Sequence, residues 1–134
     1  MRKILVPLRY PITQRGVRTL KKALEAAPEA DTVLIVYHIN LLYEDNKITK
    51  RMLQREVEEE VPEVNALPKV TYSVENSYLL DESILKKISL SKIDTVIMGK
   101  SMVPRWRRFI KFWSGYKITD EIKKAADCKV IVVQ

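Results

Sequence analysis

The chain has one cysteine, Cys128, and one histidine, His38, so neither an internal disulfide nor a cluster of His and Cys metal ligands can form. A lone thiol in an apolar run fits a reducing compartment, where buried Cys behaves as a small hydrophobe. His38 sits in a strand-like run and is read as serving packing or a satisfied hydrogen bond, and not as a ligand. Glycine is scarce. Gly16, Gly99 and Gly115 are the only three in 134 residues, so each marks a backbone need. No run reaches the roughly 18 apolar residues that a membrane span requires, and the N-terminal segment carries no signal-peptide pattern. These absences predict an intracellular, cytoplasmic protein.

What is present describes a soluble globular domain. Hydrophobic residues make up 46% and charged residues 31%. The length fits a single domain over residues 1–134, able to bury roughly two-thirds of its unfolded surface without a disulfide or metal. The net charge of +7 is unevenly spread. Residues 1–30 carry seven basic and two acidic residues, residues 31–98 eight and twelve, and residues 99–134 nine and three. Positive charge therefore gathers at the two ends of the chain.

Ile4 to Leu8 (ILVPL) has the length and character of a buried strand. Thr13 can cap a helix whose inward face is Val17, Leu20, Leu24 and Ala27. Thr32 to Ile39 (TVLIVYHI) is almost continuously apolar, as a parallel strand buried on both faces must be. Asn46 to Glu60 predicts a second helix, with Ile48, Met52 and Val57 among its apolar positions and a solvated acidic end at Glu56 and Glu58 to Glu60. Lys69 to Val74 predicts an edge strand; Leu80, Ile84 and Ile88 a third helix; Ile93 to Met98 (IDTVIM) a fourth strand. Thr119 can cap a last helix through Ile122, Ala125 and Ala126, before a fifth strand over Lys129 to Val133 (KVIVV). Strands alternating with helices predict right-handed crossovers and an α/β fold: an open, three-layer, parallel five-stranded sheet.

Four stretches, in this order, resemble the universal stress protein family: KILVPL its first strand, VLIVYHI its second, IDTVIMGKS its fourth, and ITDEIKKAADCKVIVV its last helix and strand. The resemblance spans nearly the whole chain and rests on shared order and spacing. It implies strand order 3-2-1-4-5, an adenine nucleotide alpha hydrolase-like layout, and a ligand crevice between strands one and four. It also implies a homodimer formed through the last strand, Lys129, Val130, Ile131, Val132 and Val133. Open α/β sheets in general place a site beyond the carboxyl ends of such strands.

Nucleotide-binding members of that family carry an Asp after strand one and a Gly-x2-Gly-x9-Gly-Ser/Thr loop after strand four. In this chain Arg9 stands where the acid is expected. Gly99 supplies the first glycine, but the second position is Met102 and the third is Phe112. Gly115 falls three residues late and precedes Tyr116. The reading is a degraded motif and no cofactor, with ATP or AMP disfavoured. Gly99-Lys100-Ser101 does not complete a P-loop, because the position five residues before Gly99 is Asp94.

The segment Lys100 to Lys117 carries six Lys or Arg and no acid, interleaved with Trp106, Phe109, Phe112, Trp113 and Tyr116. A short helix starting after Pro104 would align Trp106, Phe109, Ile110 and Trp113 on one stripe. Three uses stay open: an amphipathic cover over the sheet end or a dimer partner, an anion site, and a membrane-surface helix, with a membrane not expected as partner. Arg9, Arg15 and Arg18 follow strand one, so both basic segments converge on one crevice, suited to phosphates or stacked bases. The candidate ligand and anion crevice comprises Pro7, Arg9, Ile39, Met98, Gly99, Lys100, Arg105, Arg108 and Gly115.

Catalysis finds no support. Asp81 and Glu82 read as charges facing a helix dipole, and Ser101 has no base at a workable spacing. The expected function is a non-catalytic, homodimeric binding or regulatory module without the family's standard ATP site. The alternatives are a nucleotide binder with a rebuilt phosphate loop, in which Gly115 replaces the missing glycine, and a nucleic-acid binder using residues 100–117.

Overall fold

The computed structural model describes residues 2–26, 32–42, 47–66, 69–77, 80–99 and 128–133. Along the chain run β1 (Arg2–Pro7), α1 (Gln14–Ala26), β2 (Thr32–Leu41), α2 (Lys50–Glu60), a 3-10 turn (Pro62–Ala66), β3 (Val70–Ser77), α3 (Leu80–Leu90), β4 (Thr95–Gly99) and β5 (Lys129–Val133). Every strand pair is parallel. The order across the sheet is β3-β2-β1-β4-β5, as the family resemblance implies. The basic segment 100–117 and the helix expected after Thr119 lie outside the described residues. Among the described residues no helix is long and apolar enough to cross a membrane.

Alternation along the strands sorts the core into two layers. Ile4, Val6, Leu34 and Val36 meet Leu20 and Ala23 of α1 and Leu53 and Val57 of α2. Leu5, Ile35, Tyr37, Ile39, Val96 and Met98 project from the other face and meet Ile84 and Ile88 of α3. A strand covered on both faces must be apolar at nearly every position, which explains the unbroken runs in β1 and β2. The crossovers through α1 and α2 step one way across the sheet and the crossover through α3 steps back. Right-handedness then puts α3 on the opposite face.

The structure departs from the sequence reading at element ends. The second helix begins at Lys50 and not at Asn46, because Thr49 Oγ1 accepts the Met52 N–H (3.2 Å) and caps it there. Ile48 precedes the helix and is held by a side chain of β2. Buried Asn40 donates through Nδ2 to the Ile48 carbonyl (2.8 Å) and accepts the Ile48 N–H at Oδ1 (3.0 Å). Leu53 supplies the buried contact, and Met52, one of the apolar positions read from the sequence, is 42% exposed. β3 runs on to Ser77, where its carbonyl accepts the Leu42 N–H (2.9 Å), and β4 starts at Thr95.

Polar groups fix both ends of the sheet. At the amino end of β4, Asp94 accepts the Lys3 N–H at Oδ2 (2.8 Å) and donates its own N–H to the Lys3 carbonyl (3.0 Å). Lys3 Nζ reaches the Ser91 carbonyl (3.0 Å). Under α3, the buried Tyr37 hydroxyl donates to Glu75 Oε2 (2.6 Å). Lys87 Nζ lies 3.6 Å from Glu75 Oε1 and donates to Ser73 Oγ (3.1 Å). Burial, then the bond to Glu75 and its charge, push the Tyr37 phenol far upward.

Two stability predictions follow from these contacts. Asn40→Ala leaves both backbone groups of Ile48 without partners in a buried setting, and is expected to cost about 2–3 kcal/mol in urea unfolding. A loss under about 0.5 kcal/mol, the scale of a neutral surface change, would show that the two bonds contribute little.

The second concerns alkaline pH. Burial, helped by the Glu58 charge, raises the Tyr72 phenol from 10.0 to about 12. Burial and then Asp94 raise the Cys128 thiol from 9.0 to about 11, against a smaller lowering by the Val96 backbone. In each case the fold keeps a proton that the unfolded chain releases, so stability is complete below pH 9 and falls as pH rises through 11 and 12. Cys128→Ala with Tyr72→Phe is expected to flatten that slope. An unaltered slope in the double variant would refute the assignment.

Candidate functional site

The site is built where β1 and β4 end. The Ile4↔Thr95 register, continued along both strands, sets Leu8 level with Gly99. Leu8 donates its N–H to the Tyr37 carbonyl (2.8 Å), and its own carbonyl lies 3.0 Å from His38 Nδ1. A carbonyl only accepts, so this contact calls for the Nδ1–H form of the ring. The edge of the Tyr10 ring meets the same imidazole, at 6.4 Å between centroids. His38 thus anchors the turn after β1 through both a hydrogen bond and a ring contact, where the sequence reading offered packing or a hydrogen bond.

With Leu8 tied inward, Arg9 is left exposed at the mouth of the strand pair. The chain then enters α1, whose first turn is closed by Thr13. Its Oγ1 accepts the Gly16 N–H (3.2 Å), and its carbonyl accepts the Val17 N–H (2.9 Å). Gly16 lets this turn sit close to the preceding loop, since a Cβ there would come within 2.9 Å of Ile12 Cγ2. Thr19 is buried and donates to the Arg15 carbonyl (2.8 Å). That places it against Gly99, where an added Cβ would find Thr19 Oγ1 at 3.6 Å, an ordinary contact.

These elements enclose a cavity of about 470 Å³ lined by Pro7, Leu8, Arg9, Thr13, Gln14, Arg15, Gly16, Arg18, Thr19 and Gly99. Three arginines, Arg9 in the turn after β1 and Arg15 and Arg18 on α1, line it, and among the described residues its lining holds no acid. Arg15, Arg18 and Thr19 lie three and four residues apart, so one side of α1 supplies all of them. Such a cavity attracts anions, and guanidinium forks suit phosphoryl oxygens better than a point charge would. A second cavity of about 420 Å³ contrasts with it, because its lining mixes Arg51 and Arg55 with Glu56 and Glu59 beside Tyr10. Among the described residues no group of three or more His, Cys, Asp or Glu could hold a metal ion.

Of the crevice residues named from the sequence, Pro7, Arg9 and Gly99 line this cavity. Ile39 and Met98 do not. Both are buried in the core layer under α3, because odd-numbered positions of β2 and even-numbered positions of β4 point to that face. Lys100, Arg105, Arg108 and Gly115 lie outside the described residues. The sequence reading assigned no site role to Gln14, Gly16 or Thr19. The spacing of Thr19 four residues after Arg15 was the available signal, but the rotation of α1 about its axis is set by packing.

No protein-family profile matches the chain, and no curated protein matches it in sequence. Solved structures do resemble it. The universal stress protein from Archaeoglobus fulgidus in complex with dAMP has a TM-score of 0.66 at 13% identity, covering 100% of this chain and 98% of that one. A universal stress protein in complex with cAMP has a TM-score of 0.63 at 10% identity, covering 99% and 96%. An Arabidopsis thaliana universal stress protein family protein with AMP bound has a TM-score of 0.63 at 14% identity, covering 99% and 91%. At these identities the likeness is one of fold.

Proposed function

We propose that this chain, built on the universal stress protein fold, is a non-catalytic binding module that holds a phosphorylated ligand in the cationic crevice between β1 and β4. The observation that carries the reading is the convergence of Arg9, Arg15 and Arg18 on one cavity that has no acid among its described lining residues. Each arginine is exposed at its own position, so the charge is free to meet a ligand. Gly99 closes the cavity on the β4 side, and the chain continues from it into Lys100. The ligand is held mainly by guanidinium groups, in place of the glycine-rich backbone loop that the family resemblance would imply.

An adenine nucleotide is the first ligand class to test, because the similar structures named above hold dAMP, cAMP and AMP. In that second reading the phosphates occupy the arginine crevice and Gly115 belongs to a rebuilt loop. The module acts as a homodimer through β5. In support, β5 lies at the end of the strand order, so its outer backbone groups are unpaired by any described strand.

Titration calorimetry with ATP, AMP and a polynucleotide tests the crevice. Arg9→Glu combined with Lys100→Glu is expected to weaken binding at least about tenfold, as reversal of charge-assisted hydrogen bonds requires. Unchanged binding of every ligand would overturn the assignment. A steep loss of polynucleotide affinity with salt would favour nucleic acid over nucleotide. The dimer is checked by sedimentation: two charges introduced on β5, Ile131→Lys and Val133→Lys, are expected to give a monomer. A wild-type protein that sediments as a monomer at every concentration would refute it.

A further inference from the structure

The stretches of sequence that follow the two crevice strands carry charge of one sign. Residues 8–24 contain five Lys or Arg and no Asp or Glu, the first acid being Glu25. Residues 99–119 contain six Lys or Arg and no Asp or Glu, the first acid being Asp120. These are the two stretches that lead out of β1 and β4 at the crevice end. Asp94, the acid nearest to β4 in sequence, sits at the opposite end of that strand, where Lys3 holds it. Glu75 faces α3 and is engaged by Tyr37 and Lys87.

A Mg²⁺ ion that accompanies a polyphosphate is ordinarily held by one or two protein carboxylates as well as by the phosphates. Among the described residues no carboxylate lines this cavity. Three guanidinium groups there would repel a divalent cation. They would also supply, by themselves, the neutralisation that the metal gives to adjacent phosphates. We infer that the crevice selects the metal-free form of its phosphorylated ligand, so that divalent cations compete with the protein for the ligand and act as negative regulators of binding. This inference rests on the phosphate-binding reading above.

The test is titration of the wild-type chain with ATP and with AMP, in EDTA and in MgCl₂, at matched ionic strength. ATP chelates Mg²⁺ well and AMP poorly. With free Mg²⁺ at about ten times its dissociation constant for ATP, mass action withdraws the ligand and lowers the apparent ATP affinity about tenfold. AMP affinity stays nearly constant. ATP binding that is equal or tighter in Mg²⁺ would overturn the inference while leaving the phosphate site standing. So would an equal fall for AMP and ATP, which would mark charge screening and not chelation. Failure of both nucleotides to bind in either buffer would overturn the nucleotide reading itself, and the inference with it.

Discussion

Two short strands far apart in the sequence, β1 and β4, must lie side by side before anything else in this molecule has a place. Their pairing closes a long loop, which costs chain entropy. Apolar burial of Leu5, Val96 and Ile97 offsets that cost, and a bracket of polar bonds between Lys3 and Asp94 sets the register. From β1, the chain leaves over one face through α1. It arrives at β4 from the other face through α3. Neither helix therefore covers the gap beyond the strand ends, and the gap becomes the crevice.

The layout of the sheet was legible because its inner strands have no polar face. TVLIVYHI cannot be an amphipathic helix or a solvent-facing strand, and its neighbours alternate with helical periods. Element ends were less legible because they are decided by contacts between distant residues. Nothing local to Ile48 says that Asn40 will hold it outside the helix. The extension of β3 to Ser77 likewise depends on pairing with β2 through Leu41. The same limit applies to the crevice. Arg9, Arg15 and Arg18 could be assembled from charge and topology alone. Ile39 was listed there too, and strand parity puts its side chain in the core layer under α3.

A family resemblance and a residue-level reading pull apart at Arg9. The fold carries over at 10–14% identity because it depends on apolar pattern and crossover handedness, which many sequences satisfy. Site chemistry depends on single side chains, and here the charge after β1 has the opposite sign from the one the resemblance implies. The two cavities beside the β1 turn make the point within one molecule. A few residues apart along the chain, the charged residues described in one lining are all arginines, and those in the other are two arginines and two glutamates.

The sulfur chemistry of the chain follows from where β5 begins. Cys128 is half covered beside the core layer under α3, and its thiol is raised to about 11 by burial and by Asp94. Attack on peroxides, disulfides or electrophiles needs the thiolate. At neutral pH the protonated form predominates. The sole sulfhydryl is therefore held by its surroundings in the protonated, less nucleophilic form.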